Sequence, residues 1–183
     1  MLLVLAVGFY AIWAGQAKAA NLMPDFMENR IGYEIIDGTD QVEVCIFDGH
    51  WWSELPDAYT IPSQVTCTDA ESPYYTQTFQ VVGIQPRAFS EGAPSSEGQN
   101  VSITIEAPLT EISDYAFYQA DYITSITLPQ TVTAIGEHAF QECTALEELV
   151  IPGQLTEIGT SAFYGCENLA KSAVLHELFT AFT

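Results

Sequence analysis

Three stretches of this chain repeat one pattern at a fixed offset of 23 residues, and a chain that repeats itself at such a period has few ways to fold. ITIEAPLTEISDYAFYQADYI starts at Ile103, ITLPQTVTAIGEHAFQECTAL at Ile126 and LVIPGQLTEIGTSAFYGCENL at Leu149. Aligned in that register, apolar or small residues recur in columns: Ile103, Ile126 and Leu149; Ile112, Ile135 and Ile158; Phe117, Phe140 and Phe163; Ser113, Gly136 and Gly159. One such unit cannot bury its own apolar face, so neighbours must stack and share a continuous core. A partial further copy lies upstream in two pieces, YTIPSQVT at 59–66 and VVGIQPRAF at 81–89. The insertion between them, 67–80, carries Ser-Pro and several β-formers and reads as a hairpin-like excursion, while 90–100 reads as a loop.

Within a coil, Ile126 and Leu128, or Leu149 and Ile151, alternate as inward residues of a short strand that Pro129 or Pro152 ends. Ile-Gly and Ala-Phe pairs follow, a small residue permitting close approach and a phenylalanine filling the interior, so Phe117, Phe140 and Phe163 are expected to stack. The expected fold is a β-rich, leucine-rich-repeat-like solenoid: a right-handed stack of coils with short strands and helical or 3-10 turns. Upstream, 31–47 holds two strand-like runs around Asp37-Gly38, a hairpin signal, and is expected to cap the stack. The chain thus divides into a signal peptide (1–19), an N-terminal β cap (20–58), about four repeats (59–169) and a C-terminal helical cap or truncated tail (170–183).

The signal peptide is inferred from an apolar run, Leu2 to Ala14, followed by small residues at Ala17 and Ala19. That run is shorter than the roughly twenty residues that cross a bilayer, so stable membrane insertion after cleavage is not expected, and the chain should be secreted or displayed at the cell surface. Acidic residues number 24 against four basic ones, a formal charge of −20, which repels nucleic acid. The carboxylates are scattered, as on a solvated surface.

Cysteines divide into two kinds. Cys143 and Cys166 share one repeat column with Ala120 and so read as small core residues; Cys45 and Cys67 fall outside the three copies and, in an exported chain, are candidates for a disulfide. A zinc site from His138, Cys143 and Cys166 is disfavoured by that column position. Asp48, His50 and Ser53 are the only local set with the residue types of a nucleophilic triad, and their proximity in sequence is weak support for hydrolysis. Trp51 and Trp52 are readier to pack over the cap than to contact a ligand. Asp37 and Asp40 lack the ligand spacing of a calcium loop, and Asn100-Val101-Ser102 is a glycosylation sequon. No catalytic residue, metal or cofactor is expected. The outward strand positions, Ser102, Thr104, Ser125, Thr127, Glu148 and Val150, form the candidate surface for a protein or glycan partner.

Strand-ending Ile-Pro, then Thr-x-Ile-Gly, Ala-Phe, a cysteine and a leucine resemble the BspA-like leucine-rich-repeat family over about 59–169, with 31–47 resembling the hairpin that often precedes such arrays. The resemblance implies a secreted or surface protein that recognises or adheres to other molecules without catalysis. Glu106 in place of the strand-ending proline, Ala120 in place of cysteine and the tail after Leu169 depart from the pattern. Two rival readings are a structural spacer, or fragment of a longer repeat protein, and a small hydrolase.

Overall fold

The computed structural model describes residues 24–47, 57–90 and 100–169, and within them the 23-residue period becomes a stack of hydrogen-bonded coils. Strands β4 (Ala58–Ile61), β7 (Val101–Ile105), β9 (Ile123–Thr127) and β11 (Glu148–Val150) lie side by side in one parallel sheet, in the order β11-β9-β7-β4. Register follows the repeat: Leu149 sits beside Ile126, Ile126 beside Ile103, and Ile103 beside Tyr59. A second, narrower ladder joins β8 (Glu111–Ile112), β10 (Ala134–Ile135) and β12 (Glu157–Ile158), also parallel and in register. Between the ladders the inward columns are buried, including Ile103, Ile126, Leu149, Leu109 and Val132.

The upstream copy is split in space as it is in sequence. Tyr59 and Ile61 of β4 pair beside β7, while the amides of Arg87 and Phe89 reach the carbonyls of Tyr115 and Ala116 in the next coil at 3.0 and 3.2 Å. The intervening residues form the antiparallel pair β5 (Gln64–Thr66) and β6 (Thr78–Ile84). That pair does not stand apart as an excursion. β6 pairs in parallel with β3 (Gln41–Phe47), completing a five-stranded sheet of order β1-β2-β3-β6-β5 with β1 (Phe26–Glu28) and β2 (Ile31–Ile35). The cap is therefore larger than the β2-β3 hairpin around Gly38, and it grips the first coil through a shared strand. β1 and β2 meet in a two-residue turn whose central residues, Asn29 and Arg30, have φ of 49° and 67°. Paired positive φ values suit the twist of a tight hairpin.

Helical or 3-10 turns are not what the Ala-Phe segments form; no helix occurs there. Their amides alternate between two partners. Ala116, Tyr118 and Ala120 bond three residues back, to Ser113, Tyr115 and Phe117, whereas Tyr115, Phe117 and Gln119 bond the carbonyls of Glu137, Ala139 and Gln141 in the next coil. The following coil repeats the scheme, with His138, Phe140 and Glu142 bonding Thr160, Ala162 and Tyr164. A left-handed residue stands at each end of the segment: Tyr115 and Gln119, His138 and Glu142, Ser161 and Gly165. Left-handed residues cannot propagate a helix, and they turn every second amide toward the neighbouring coil. Close contact between coils also explains Gly136 and Gly159, where an added Cβ would lie 2.6 Å from the Asp114 nitrogen and 2.5 Å from the Glu137 nitrogen.

Phe117, Phe140 and Phe163 do stack, and Phe89 extends the series. Ring centroids are 4.6, 5.1 and 5.3 Å apart, with interplanar angles falling from 21° to 6° and 2°. Thr133 and Thr156 add a second ladder, each hydroxyl donating to the carbonyl of the threonine one coil earlier at 3.2 and 3.1 Å. Each stacked pair of rings adds about 0.5–1.5 kcal/mol beyond area burial. Phe140, fully buried with a ring on both sides, should therefore lose about 3–5 kcal/mol on substitution by alanine, while half-buried Phe163 should lose less; urea unfolding of Phe140→Ala and Phe163→Ala measures both.

Burial also sets how the fold responds to alkali. It is the main cause raising the Tyr122 phenol, which donates to the Phe89 carbonyl at 2.9 Å, and the Tyr33 phenol, where Glu28 adds repulsion. Burial, then Glu34, pushes the Cys45 thiol from an ordinary 9.0 up to about 12. Folded values above unfolded ones mean that the stabilisation is complete below the unfolded pKa and is lost as pH rises toward the folded pKa. The melting temperature should thus fall from pH of about 9 upward, and a melting curve that stays level to about pH 11 would contradict this assignment.

Candidate functional site

Alternation along the parallel sheet decides which residues face outward. Tyr59, Ile61, Ile103, Ile105, Ile126 and Leu149 point into the core, so their neighbours in each strand form the outer face. Register then gathers the candidate positions into two rows: Glu148, Ser125 and Ser102 in one, Val150, Thr127 and Thr104 in the other. Sequence reasoning missed the fourth member of each row, Ala58 beside Ser102 and Thr60 beside Thr104. The signal was present, since Tyr59 and Ile61 alternate as Ile103 and Ile105 do. Glu148 and Val150 are exposed, as are Thr104 and Thr60; Ser102, Ser125 and Thr127 are half-buried by their neighbours. The rows thus present hydroxyls along most of their length, with the Glu148 carboxylate and the Val150 side chain at one edge.

The column cysteines are structural donors. Cys143 Sγ donates to the Phe117 carbonyl and Cys166 Sγ to the Phe140 carbonyl, each at 3.0 Å and each to the preceding coil. Hydrogen bonding to the sulfur of its neighbour Cys166, with burial second, holds the Cys143 thiol well above the ordinary range. His138 lies elsewhere, half-buried at the turn and stacked on Tyr115 at 4.8 Å. Among the described residues no three His, Cys, Asp or Glu side chains gather as metal ligands. Asp37 and Asp40 are both exposed in the β2-β3 loop.

Cys45 and Cys67 are not bridged; both are free thiols. Sheet register explains why. Cys67 meets Gln77, before β6 begins, while Val44, next to Cys45, accepts from Gln85 beyond its end. The two cysteines are thus separated along β6 by about 25 Å at strand rise, far beyond the roughly 7 Å a disulfide spans between Cα atoms. Asp48, His50 and Ser53, with Trp51 and Trp52, lie outside the described residues, as do 1–19 and 170–183.

Two further surfaces were not singled out from sequence. An open groove of about 570 Å³ runs over the narrow ladder, with Glu111, Asp114, Glu137 and Glu157 on its walls. Asp114 has a structural task there, accepting from the Glu137 amide at 2.7 Å. Along the turns, Arg87, Tyr115, Tyr118 and His138 contact one another ring to ring and cation to ring.

Comparison with known proteins agrees with this architecture. Residues 75–181 match the BspA type leucine rich repeat region in six copies. A leucine-rich repeat protein from Bacteroides ovatus superposes with a TM-score of 0.58 at 29% identity, covering 78% of this chain and 33% of that protein. The chain therefore spans about a third of that relative's length. A leucine rich repeat protein of T. pallidum is similar at 21% identity and a TM-score of 0.48, over 78% of this chain and 67% of the other. Among curated proteins no sequence matches. The repeat match covers more than half of the 183 residues, and the chain belongs to the BspA type leucine-rich repeat family.

Proposed function

We propose that this chain is a non-catalytic recognition module, secreted or displayed at a cell surface, that binds a protein or glycan partner through the outer face of its parallel sheet. The observation that carries the reading is the in-register presentation of Ser102, Ser125 and Glu148 beside Thr104, Thr127 and Val150 on a rigid ladder. A rigid sheet loses little conformational entropy on binding, which favours recognition by a preformed surface. Membership of a repeat family in which stacked coils build extended surfaces supports the same reading. The formal charge of −20 steers the module away from nucleic acid.

Binding of the chain from Ala20 onward to an array of matrix proteins and glycans at physiological salt tests this. Thr104→Lys with Thr127→Lys places two long cations at the centre of the rows, and at least about tenfold weaker binding with an unchanged melting temperature is the expected result. A ligand bound equally well by both forms would remove the sheet face from the interface, and failure to bind any matrix protein or glycan would favour a spacer.

A further inference from the structure

The coil turns carry stronger anchoring chemistry than the sheet face does. Arg87, Tyr115, His138 and Ser161 occupy equivalent left-handed positions in successive coils, with φ between 55° and 65°. Three residues on stand Ser90, Tyr118, Gln141 and Tyr164, so the turns present a two-column ridge. Left-handed backbone favours glycine and asparagine, yet the first column holds arginine, tyrosine, histidine and serine. The backbone does not select those side chains, which leaves their identity open to selection by a ligand.

The upper part of the ridge is already organised. The guanidinium carbon of Arg87 lies 4.6 Å from the Tyr118 ring centre and 5.3 Å from that of Tyr115. Tyr115 meets Tyr118 edge-on at 5.7 Å and stacks on His138 at 4.8 Å, and His138 Nδ1 is hydrogen-bonded to Gln141 Oε1. Arg87 is exposed, one of four basic residues in a chain of formal charge −20, and held by ring contacts. An arginine fixed on aromatic rings presents its N–H fork with less entropy left to lose, and that fork matches a carboxylate. Tyr164 stands 65% exposed at the far end as an apolar contact.

We propose that this ridge is a second binding surface, for a peptide segment of another protein that presents an aspartate, glutamate or terminal carboxylate to Arg87 and an apolar side chain toward Tyr164. Tyrosine and arginine are the residue types that dominate interface energies, and the sheet face has neither. A peptide fits better than a sugar because Tyr115 and Tyr118 are already in ring contact with His138 and Arg87, leaving less aromatic face on which a sugar ring could stack. The proposal rests on the reading of the chain as a recognition module.

The test selects a random twelve-residue peptide library on the immobilised chain in 0.15 M salt and measures synthetic copies of the enriched peptides by calorimetry. Enriched peptides should carry an acidic residue beside an apolar one, bind Arg87→Gln and Tyr164→Ala at least about tenfold more weakly, and bind the Thr104→Lys with Thr127→Lys form as they bind the parent. Unchanged melting temperatures in the exposed-site variants separate lost contacts from lost fold. Peptides that bind Arg87→Gln within about twofold of the parent overturn the ridge, as does a selection that yields none. Peptides lost only by the threonine variant would also overturn the ridge while leaving the recognition reading standing.

Discussion

Phe117 gives its amide proton to Ala139, and Phe140 gives its own to Ala162, one coil further on. Those bonds, with their neighbours at Tyr115, Gln119, His138 and Glu142, tie the turn side of each coil to the next, as the parallel strands tie the other side. Backbone groups shut inside a fold must find partners, and a coil this small has few internal ones to offer. Neighbouring coils supply them. The 23-residue offset is therefore the condition under which the backbone of one coil is satisfied by another. The phenylalanine stack, the threonine ladder and the cysteine donors all inherit that offset.

The same constraint separates structural positions from free ones. Inward columns hold residues that fill a fixed space: mostly isoleucine, leucine or valine between the ladders, phenylalanine in the stack, glycine where a neighbouring backbone lies against the Cα. Outward columns meet no such demand. The two rows on the parallel sheet are mostly small and hydroxylic, and the ridge at the turns is aromatic and cationic at one end. A stack of this kind can therefore change what it binds without disturbing what holds it together, which is how a repeat scaffold serves recognition.

Much of this was legible in the sequence because period and alternation are local signals. Phe117, Phe140 and Phe163 announce their stack by spacing alone, and the outer rows follow from strand alternation once the register is known. Helical turns were a wrong expectation for a physical reason: Tyr115, His138 and Ser161 are not residues that signal left-handed backbone, so their φ values are imposed by the neighbouring coil and cannot be read from their types. Pairing between distant segments was equally hidden. Nothing in Thr78 to Ile84 indicates that this strand leaves the repeat pattern to join β3, and that pairing is what keeps Cys45 away from Cys67. The ridge escaped notice because its columns vary in residue type, where a search for repeats looks for sameness.

Removing one whole period tests the central claim most directly. Deletion of 124–146 joins Ile123 to Glu147 in unchanged register, so Phe117 should meet Phe163 and the coils should close again. Circular dichroism and a thermal melt of that variant should show the parent's strand signal and a cooperative transition at a somewhat lower temperature, whereas deletion of only 124–135 should abolish the transition. A whole-period deletion that unfolds as completely as the half-period one would contradict the account.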